Sequence, residues 1–157
     1  MRVGVNGAAG QMGRAVCAAV SADEELELVA AVDPGVGERG VTTTGDPDDV
    51  EVHHDLHAFA DAGCDVVVDF TNIAAARSTI PWLAMHGIHA VVGTTGFSDD
   101  ELDQYRSMFE PDDAPNCLIA PNFAISAVLM MRFAEMAAPW FDTAEVIELH
   151  HTRKIDA

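Results

Sequence analysis

Short apolar runs alternate along the chain with segments in which apolar residues recur at helical spacing. The runs are apolar on both sides of the backbone, which is typical of buried parallel strands. We expect strands over residues 2–6, 26–32, 50–53, 65–70, 88–92 and 117–120. Helical spacing predicts helices over 10–21, 57–62, 72–86, 98–109 and 125–140. The alternation predicts an α/β fold with a Rossmann-type doubly wound parallel sheet and helices on both faces.

Two helix starts carry capping signals, and the end of the pattern suggests a domain boundary. Asn72 can cap one helix, while Ser98 and Glu101 form a capping-box pattern at another. A Gly- and Asp-rich loop is expected over 34–49, and an alternating strand over 143–151. We therefore predict a dinucleotide-binding domain over 1–122. Residues 123–157, a helix followed by an alternating strand, are expected to begin a second, incomplete α+β domain.

The net charge of the chain gives more information about its surface than about its fold. The chain has 26 acidic and 8 basic residues, a formal charge of −18, and its hydrophobic fraction of 49% argues against disorder. Abundant carboxylates with a single lysine are typical of proteins adapted to high salt, with an ordinary acidic protein as the alternative. Nucleic acid and anionic membranes are poor partners for such a surface. Three separated cysteines, no signal peptide and no apolar run of membrane length predict a cytoplasmic protein.

The first predicted strand leads into a glycine-rich turn that opens a helix. The turn is a G-x-x-G-x-x-G motif made of Gly7, Ala8, Ala9, Gly10, Gln11, Met12 and Gly13. Such glycines let backbone amides approach a pyrophosphate at the helix N-terminus. Asp33 ends the next strand, 20 residues after Gly13, where a carboxylate binds ribose hydroxyls. A carboxylate repels a 2′-phosphate, so NADH is favoured, while Arg39 in the adjacent loop keeps NADPH open as a second cofactor.

Three further segments follow predicted strands at the edge where a doubly wound sheet binds its ligand. They are Asp69–Thr71, the G-T-T-G-F turn at 93–97, and Ala120–Phe123. Gly93 and Gly96 permit a tight turn whose amides and hydroxyls can bind a carboxamide or a ribose. Each segment taken alone is equally consistent with a plain turn.

Together these motifs resemble those of dihydrodipicolinate reductases (4-hydroxy-tetrahydrodipicolinate reductases), pyridine-nucleotide enzymes of diaminopimelate and lysine synthesis. The resemblance rests on G-A-A-G-Q-M-G-R, V-V-D-F-T, G-T-T-G-F, P-N-F and E-L-H-H-T-R-K-I-D-A, in this order and spacing. It covers essentially the whole chain. It implies a Rossmann domain for the cofactor, a second domain that binds a cyclic dicarboxylate and forms a homotetramer, and a cytoplasmic location.

The resemblance also implies roles for individual residues. The pyrophosphate would be held by Gly7–Met12, and the adenosine ribose by Asp33. The nicotinamide side would be lined by Gly93, Thr94, Thr95, Ala120, Pro121, Asn122 and Phe123. His150 matches an acid/base histidine, Lys154 a proton-donating lysine, and His151 a substrate contact. Gln11 departs from the arginine that the family often has at this position. In the family, K-V-D-A is followed by a P-S-G-T turn. The present chain ends before that turn, so it is expected to be inactive on its own.

The chemistry of the last segment agrees with these roles. Hydride addition to a conjugated C=N leaves an enamine-like anion, which a nearby cationic acid can protonate and stabilise. If residues 148–154 are extended, His150 and Lys154 share one face and His151 lies on the other. Two cationic groups on one face could flank a dicarboxylate. The alternative is that both histidines are ordinary strand residues.

The sequence leaves two other functions open. One is a different Rossmann oxidoreductase of the aspartate- or homoserine-dehydrogenase type, and another is a non-catalytic nucleotide-sensing module. The H-H-x-x-H spacing of His53, His54 and His57 has no supporting cysteine or paired carboxylates, so we interpret it as a solvated loop and predict no metal site.

Overall fold

The computed structural model describes residues 1–35, the backbone of 41–42, and residues 50–110, 112 and 114–147. Its strands are β1 (Arg2–Asn6), β2 (Glu27–Val32), β3 (Val41–Thr42), β4 (Glu51–His53), β5 (Val66–Asp69), β6 (His89–Val92) and β7 (Cys117–Ile119). Its α-helices are α1 (Gln11–Ser21), α2 (His57–Asp61), α3 (Ile73–Met85), α4 (Asp99–Phe109) and α5 (Ile125–Ala137). A 3₁₀ turn, Ala138–Trp140, follows α5.

The strands form one sheet in the order β3-β4-β2-β1-β5-β6-β7. All neighbours are parallel except β3, which pairs antiparallel with β4 at one edge. The strand order reverses at β1, with β2 on one side and β5 on the other. In an open parallel sheet such a reversal leaves a crevice at the carboxyl ends of the strands, and that crevice is the usual ligand site.

Helices cover the sheet on both faces. Along β2, Ala31 packs into a cluster with Cys17 of α1, whereas Ala30 and Val32 pack into the larger cluster with α2, α3 and α4. Because consecutive strand residues point to opposite faces, this division places α1 on one face and the other three helices on the opposite face. The predicted doubly wound α/β fold is confirmed.

Most predicted elements are present within one or two residues, and three differ. The helix predicted over 125–140 ends as an α-helix at Ala137, and its last three residues form the 3₁₀ turn. Residues 41–42 form β3, although a loop was expected there. The strand predicted over 143–151 is wrong for its described part, because residues 143–147 hold no regular secondary structure. Alternation predicts a strand only where a neighbouring strand can satisfy its backbone groups, and no such pairing involves the described part of this segment. Residues 148–151 lie outside the described residues.

The chain divides into two compact units, Met1–Pro121 and a second that begins at Asn122. In the second unit, the α-helix changes to a 3₁₀ turn at Pro139. Proline has no backbone N–H and therefore cannot continue the hydrogen bonds of the α-helix. None of the helices in the described part of the chain is long and apolar enough to cross a membrane.

The three cysteines are reduced thiols that lie in or beside the core. Cys17 and Cys64 are buried, and Cys117 is half-buried. Burial raises the pKa of the Cys64 and Cys117 thiols to about 11. Because the thiolate is the reactive form, both side chains act as small apolar residues at neutral pH.

Candidate functional site

The glycine-rich turn after β1 has the geometry of an anion-binding loop. Gly7 has a φ of +80°, a left-handed conformation that favours glycine. The N–H groups of Gly7 and Ala8 both donate to the carbonyl of Val32, at 2.8 and 3.1 Å, so the turn is anchored on β2. Gly10 then serves as the N-cap of α1. The turn therefore delivers the chain directly to a helix N-terminus at the crevice.

The first turn of α1 is open to a negatively charged ligand. It carries no acidic residue, and no side chain caps it. Gln11 and Met12, the first two residues of the helix, are exposed. The unpaired N–H groups and the dipole of a helix N-terminus both favour an anion. The segment predicted to bind pyrophosphate fits that role.

Gly13 lets α1 pack closely against the turn. A Cβ added there would lie 2.0 Å from the carbonyl oxygen of Gly7 and 2.7 Å from the Cα of Ala8. Both atoms belong to the backbone, so they cannot rotate away. The third glycine of the motif is therefore required by packing.

Asp33 lies where the sequence predicts it, directly after β2 and beside the glycine-rich turn. One carboxylate oxygen accepts the N–H of Ala9 at 3.0 Å, and the other accepts the N–H of Gly35 at 2.9 Å. These bonds orient a negative charge at the end of β2. Such a charge suits ribose hydroxyls and opposes a 2′-phosphate, but the role remains a prediction. Arg39, the cation weighed against it, lies outside the described residues.

The G-T-T-G-F turn forms the other side of the crevice. The Gly93 N–H donates to the Asp69 carbonyl at 2.9 Å, and a Cβ on Gly93 would meet the Phe70 ring at 2.2 Å. Gly96 has a φ of +97°, a backbone conformation that favours glycine. Thr94 is buried, and its hydroxyl donates to the Thr71 carbonyl at 3.1 Å. The backbone of this turn is thus held against the loop that follows β5.

A small, mostly apolar pocket of about 190 Å³ opens at the G-T-T-G-F turn. It is lined by Thr94, Thr95, Gly96, Phe97, Leu102, Ile119 and Pro121. Two larger clefts contain no residue predicted to bind the cofactor. One, of about 400 Å³, lies between α4 and β7, and the other, of about 420 Å³, lies near His53. The small pocket brings together three residues predicted to line the nicotinamide side, Thr94, Thr95 and Pro121.

The residues after β7 fall in both units. The Ala120 N–H donates to the Val92 carbonyl at 3.0 Å, which places Ala120 and Pro121 beside the G-T-T-G-F turn. Asn122 and Phe123 belong to the second unit. There the Asn122 side chain accepts the N–H of Ala124 at 2.8 Å, just before α5. Their proposed contact with the nicotinamide remains a prediction.

Glu101 fixes the start of α4, immediately after the G-T-T-G-F turn. Its carboxylate accepts two hydrogen bonds from Arg77 of α3, at 2.6 and 3.2 Å. It also accepts the N–H of Ser98 at 2.8 Å, and the Ser98 hydroxyl accepts the N–H of Glu101 in return. The predicted capping box is confirmed. The bonds from Arg77 and then from Ser98 lower the pKa of Glu101 from 4.5 to about 2.

We expect the stability contributed by Glu101 to depend on pH. A carboxylate whose pKa is lowered on folding stabilises the protein above its unfolded pKa and loses that effect as pH falls toward the folded pKa. Wild type should therefore melt at a higher temperature than Glu101→Gln above pH 4.5, with the gap shrinking between pH 4.5 and about 2. Differential scanning calorimetry across that range measures the gap, with Glu110→Gln, at the exposed other end of α4, as the matched control. A gap that stays constant down to pH 2 would contradict this expectation.

The residues predicted to act on the substrate are not in the described structure. His150, His151 and Lys154 all lie outside the described residues, so their geometry stays a prediction. Among the residues that are described, no cluster of three or more histidine, cysteine, aspartate or glutamate side chains could hold a metal ion. His57 instead pairs with Asp55 at 2.7 Å, which raises the pKa of His57.

One group of site residues was not predicted. Asn6 at the end of β1, Asp69 at the end of β5 and Thr79 of α3 are fully or nearly fully buried, and the Asn6 amide donates to both of the others, at 2.8 and 3.0 Å. The D-F-T motif marked Asp69 as a strand end. Its partners could be found only from the pairing of Asn6 with Asp69 across β1 and β5.

Comparison with known proteins agrees with this geometry. Residues 1–123 match the family model described as dihydrodipicolinate reductase, N-terminus. Over the whole chain, 4-hydroxy-tetrahydrodipicolinate reductases of Nocardia farcinica and Corynebacterium aurimucosum are 49% and 45% identical. The dipicolinate-bound dihydrodipicolinate reductase of Paenisporosarcina sp. TG-14 superposes with a TM-score of 0.77 at 32% identity, covering 100% of this chain and 60% of that one.

The chain spans 56% of the length of each of the two sequence relatives. The family match covers the glycine-rich turn, Asp33, the G-T-T-G-F turn and the residues after β7, which are the parts of the crevice described above. The chain belongs to the dihydrodipicolinate reductase family.

Proposed function

We propose that the full-length protein uses NADH to reduce dihydrodipicolinate, which forms from 4-hydroxy-tetrahydrodipicolinate by loss of water, to tetrahydrodipicolinate, a step of lysine and diaminopimelate synthesis. The proposal rests on the N-terminus of α1, whose first turn carries no acidic residue and whose N-cap, Gly10, has no side chain. This N-terminus follows Gly7, which has a left-handed conformation, at the point where the strand order of the sheet reverses. This arrangement fits a dinucleotide pyrophosphate. Family membership supplies the substrate class.

In this proposal most of the residues that bind the cofactor belong to the first unit. The backbone from Gly7 to Met12 binds the pyrophosphate, and the Asp33 carboxylate accepts the hydroxyls of the adenosine ribose. The turn from Gly93 to Thr95, with Ala120 to Phe123, orients the nicotinamide. When bound, the reduced nicotinamide supplies a hydride. The fixed charge of Asp33 favours NADH, and NADPH is the second cofactor that the proposal allows.

The segment 148–157 supplies the proton chemistry in this proposal. His150 acts as acid/base group, Lys154 donates the proton that completes the reduction, and His151 binds a substrate carboxylate. The ligand of the Paenisporosarcina protein is dipicolinate, a dicarboxylate, and this supports a dicarboxylate substrate here. Because the relatives are longer than this chain, the 157-residue chain by itself is proposed to bind cofactor without turning over substrate.

The assembly and setting of the protein are also part of the proposal. The full-length enzyme forms a homotetramer, works in the cytoplasm and tolerates high salt. The net charge of −18 supports the last point, since salt screens the repulsion among carboxylates. Light scattering of the full-length protein and activity measured against KCl concentration test these two properties.

The test of the proposed reaction is an assay of the full-length protein with a substrate panel. We expect NADH absorbance to fall with 4-hydroxy-tetrahydrodipicolinate and to stay constant with aspartate semialdehyde. Oxidation of NADH by the semialdehyde instead would assign a different Rossmann oxidoreductase activity. NADH binding without turnover on any substrate of the panel would point to a nucleotide-sensing module.

A further inference from the structure

We propose that Asp69 is a positioning residue for the nicotinamide half of the cofactor. The inference rests on the proposed function, because it assumes that the crevice binds NADH. It concerns the Asp69 cluster, which we define as Asn6, Asp69, Thr71, Thr79 and Thr94. Asp69 has no exposed surface at all, and a buried carboxylate is costly unless each oxygen is well bonded.

The bonds to Asp69 come from both sides of the strand in which it lies. On the β1 side, the Asn6 amide donates to Oδ2 at 2.8 Å. On the crevice side, Oδ1 accepts the Thr71 N–H at 2.9 Å and the Thr71 hydroxyl at 2.6 Å, with the Thr94 hydroxyl at the limit of bonding, 3.5 Å. Within the described part of the chain, every one of these donors is neutral. The Asp69 carboxylate thus orders the loop after β5 directly, and the loop after β6 through the bond between Thr94 and Thr71.

The cluster also determines where Thr94 lies. Its hydroxyl donates to the Thr71 carbonyl at 3.1 Å, so the orientation of Thr71 set by Asp69 is passed to the G-T-T-G-F turn. Asn6 supports Asp69 from the β1 side, and among the residues that the structure describes its own Oδ1 has no hydrogen-bond partner. Rotating that amide would point an oxygen at the carboxylate, so Asp69 dictates its orientation.

The two halves of the crevice are held by different groups. On the pyrophosphate and adenosine side, Gly7 and Ala8 are anchored on the Val32 carbonyl, and Ala9 is anchored on Asp33. On the nicotinamide side, Thr71 and Thr94 depend on Asp69. Disturbing Asp69 should therefore affect one half of the cofactor and leave the other half in place. A residue needed only for folding would affect both halves together.

The experiment compares the affinities of NADH and ADP-ribose for the 157-residue chain by calorimetry. ADP-ribose carries the adenosine, the pyrophosphate and a ribose but lacks the nicotinamide ring. Asp69→Asn replaces the carboxylate with a neutral amide that has one acceptor oxygen, so the Asn6 and Thr71 donors lose the charged acceptor that they share. We expect NADH to bind about tenfold more weakly, as for loss of a charged hydrogen bond, while ADP-ribose affinity stays near that of wild type.

A matched pair of variants covers the case in which Asp69→Asn does not fold. Thr71→Val removes the hydroxyl that bonds Asp69 on the crevice side, and should also weaken NADH binding selectively. Ser107→Ala removes a hydroxyl that bonds the Asp103 carbonyl within α4, outside the Asp69 cluster, and should leave the ratio of the two affinities unchanged. Circular dichroism verifies that each variant is folded.

The outcomes separate this inference from the function on which it rests. A wild-type chain that binds neither ligand overturns both. If wild type binds NADH and neither Asp69→Asn nor Thr71→Val changes the affinity ratio, the positioning role is wrong and the proposed function stands. Equal weakening of NADH and ADP-ribose by these variants would also overturn the positioning role, since it indicates a general structural effect.

Discussion

Replacing Lys154 with methionine in the full-length protein is expected to lower kcat by about 10²- to 10⁴-fold, the usual contribution of a positioned proton donor. His150→Gln should have an effect of the same order. Both side chains are proposed to act on the anion that forms when a hydride adds to the substrate ring, by stabilising its charge and supplying a proton. The reduction leaves negative charge that a cationic acid both stabilises and neutralises. Steady-state kinetics with NADH and 4-hydroxy-tetrahydrodipicolinate measures the loss.

Binding of the cofactor should survive both changes. The residues proposed to hold NADH lie from Gly7 to Phe123, in a segment separate from 148–157, so the Kd for NADH should match that of wild type. Arg153→Met is the matched control, because it removes a neighbouring cation for which no role in the reaction is proposed. Near-normal turnover in both His150→Gln and Lys154→Met would show that the proton comes from elsewhere.

Gly13→Ala is expected to destabilise the first unit by about 3 kcal/mol or more, the upper range for overpacking a tight contact. Alanine in place of glycine inside an exposed helix normally stabilises by about 1 kcal/mol. Here the added Cβ would lie 2.0 Å from the Gly7 carbonyl oxygen, so α1 must move away from the turn. The clash is the larger effect and decides the sign. Urea unfolding of the 157-residue chain measures the stability.

Cofactor binding should fail together with stability in Gly13→Ala, because the N-terminus of α1 would shift relative to the turn. Calorimetric titration with NADH tests this. Gly10→Ala provides a graded comparison, since its Cβ would lie 3.2 Å from the same oxygen and its φ of −72° is open to any residue. We expect that change to cost far less stability. Equal stability of Gly13→Ala and wild type would contradict the packing argument.

Much of the fold could be predicted because the information is local. The alternation of apolar strands and helices, the N-caps at Asn72 and Ser98, and the glycine spacing of the first turn all depend on residues close in sequence. The same holds for Asp33, whose position at the end of β2 follows from counting along the chain. Strand β3 was missed because it consists of two residues whose only support is a pairing with β4.

The sequence by itself determined the α/β class, the pyrophosphate turn and the family resemblance, since each of these depends on the order and spacing of residues along the chain. Only the tertiary structure decided that Asn6 and Asp69, 63 positions apart, share a hydrogen bond. It alone also showed that Arg77 and Glu101 join two helices, and that Gly13 is required by contact with Gly7. These facts depend on strand order and register, which bring distant residues within hydrogen-bond distance and which no local pattern specifies.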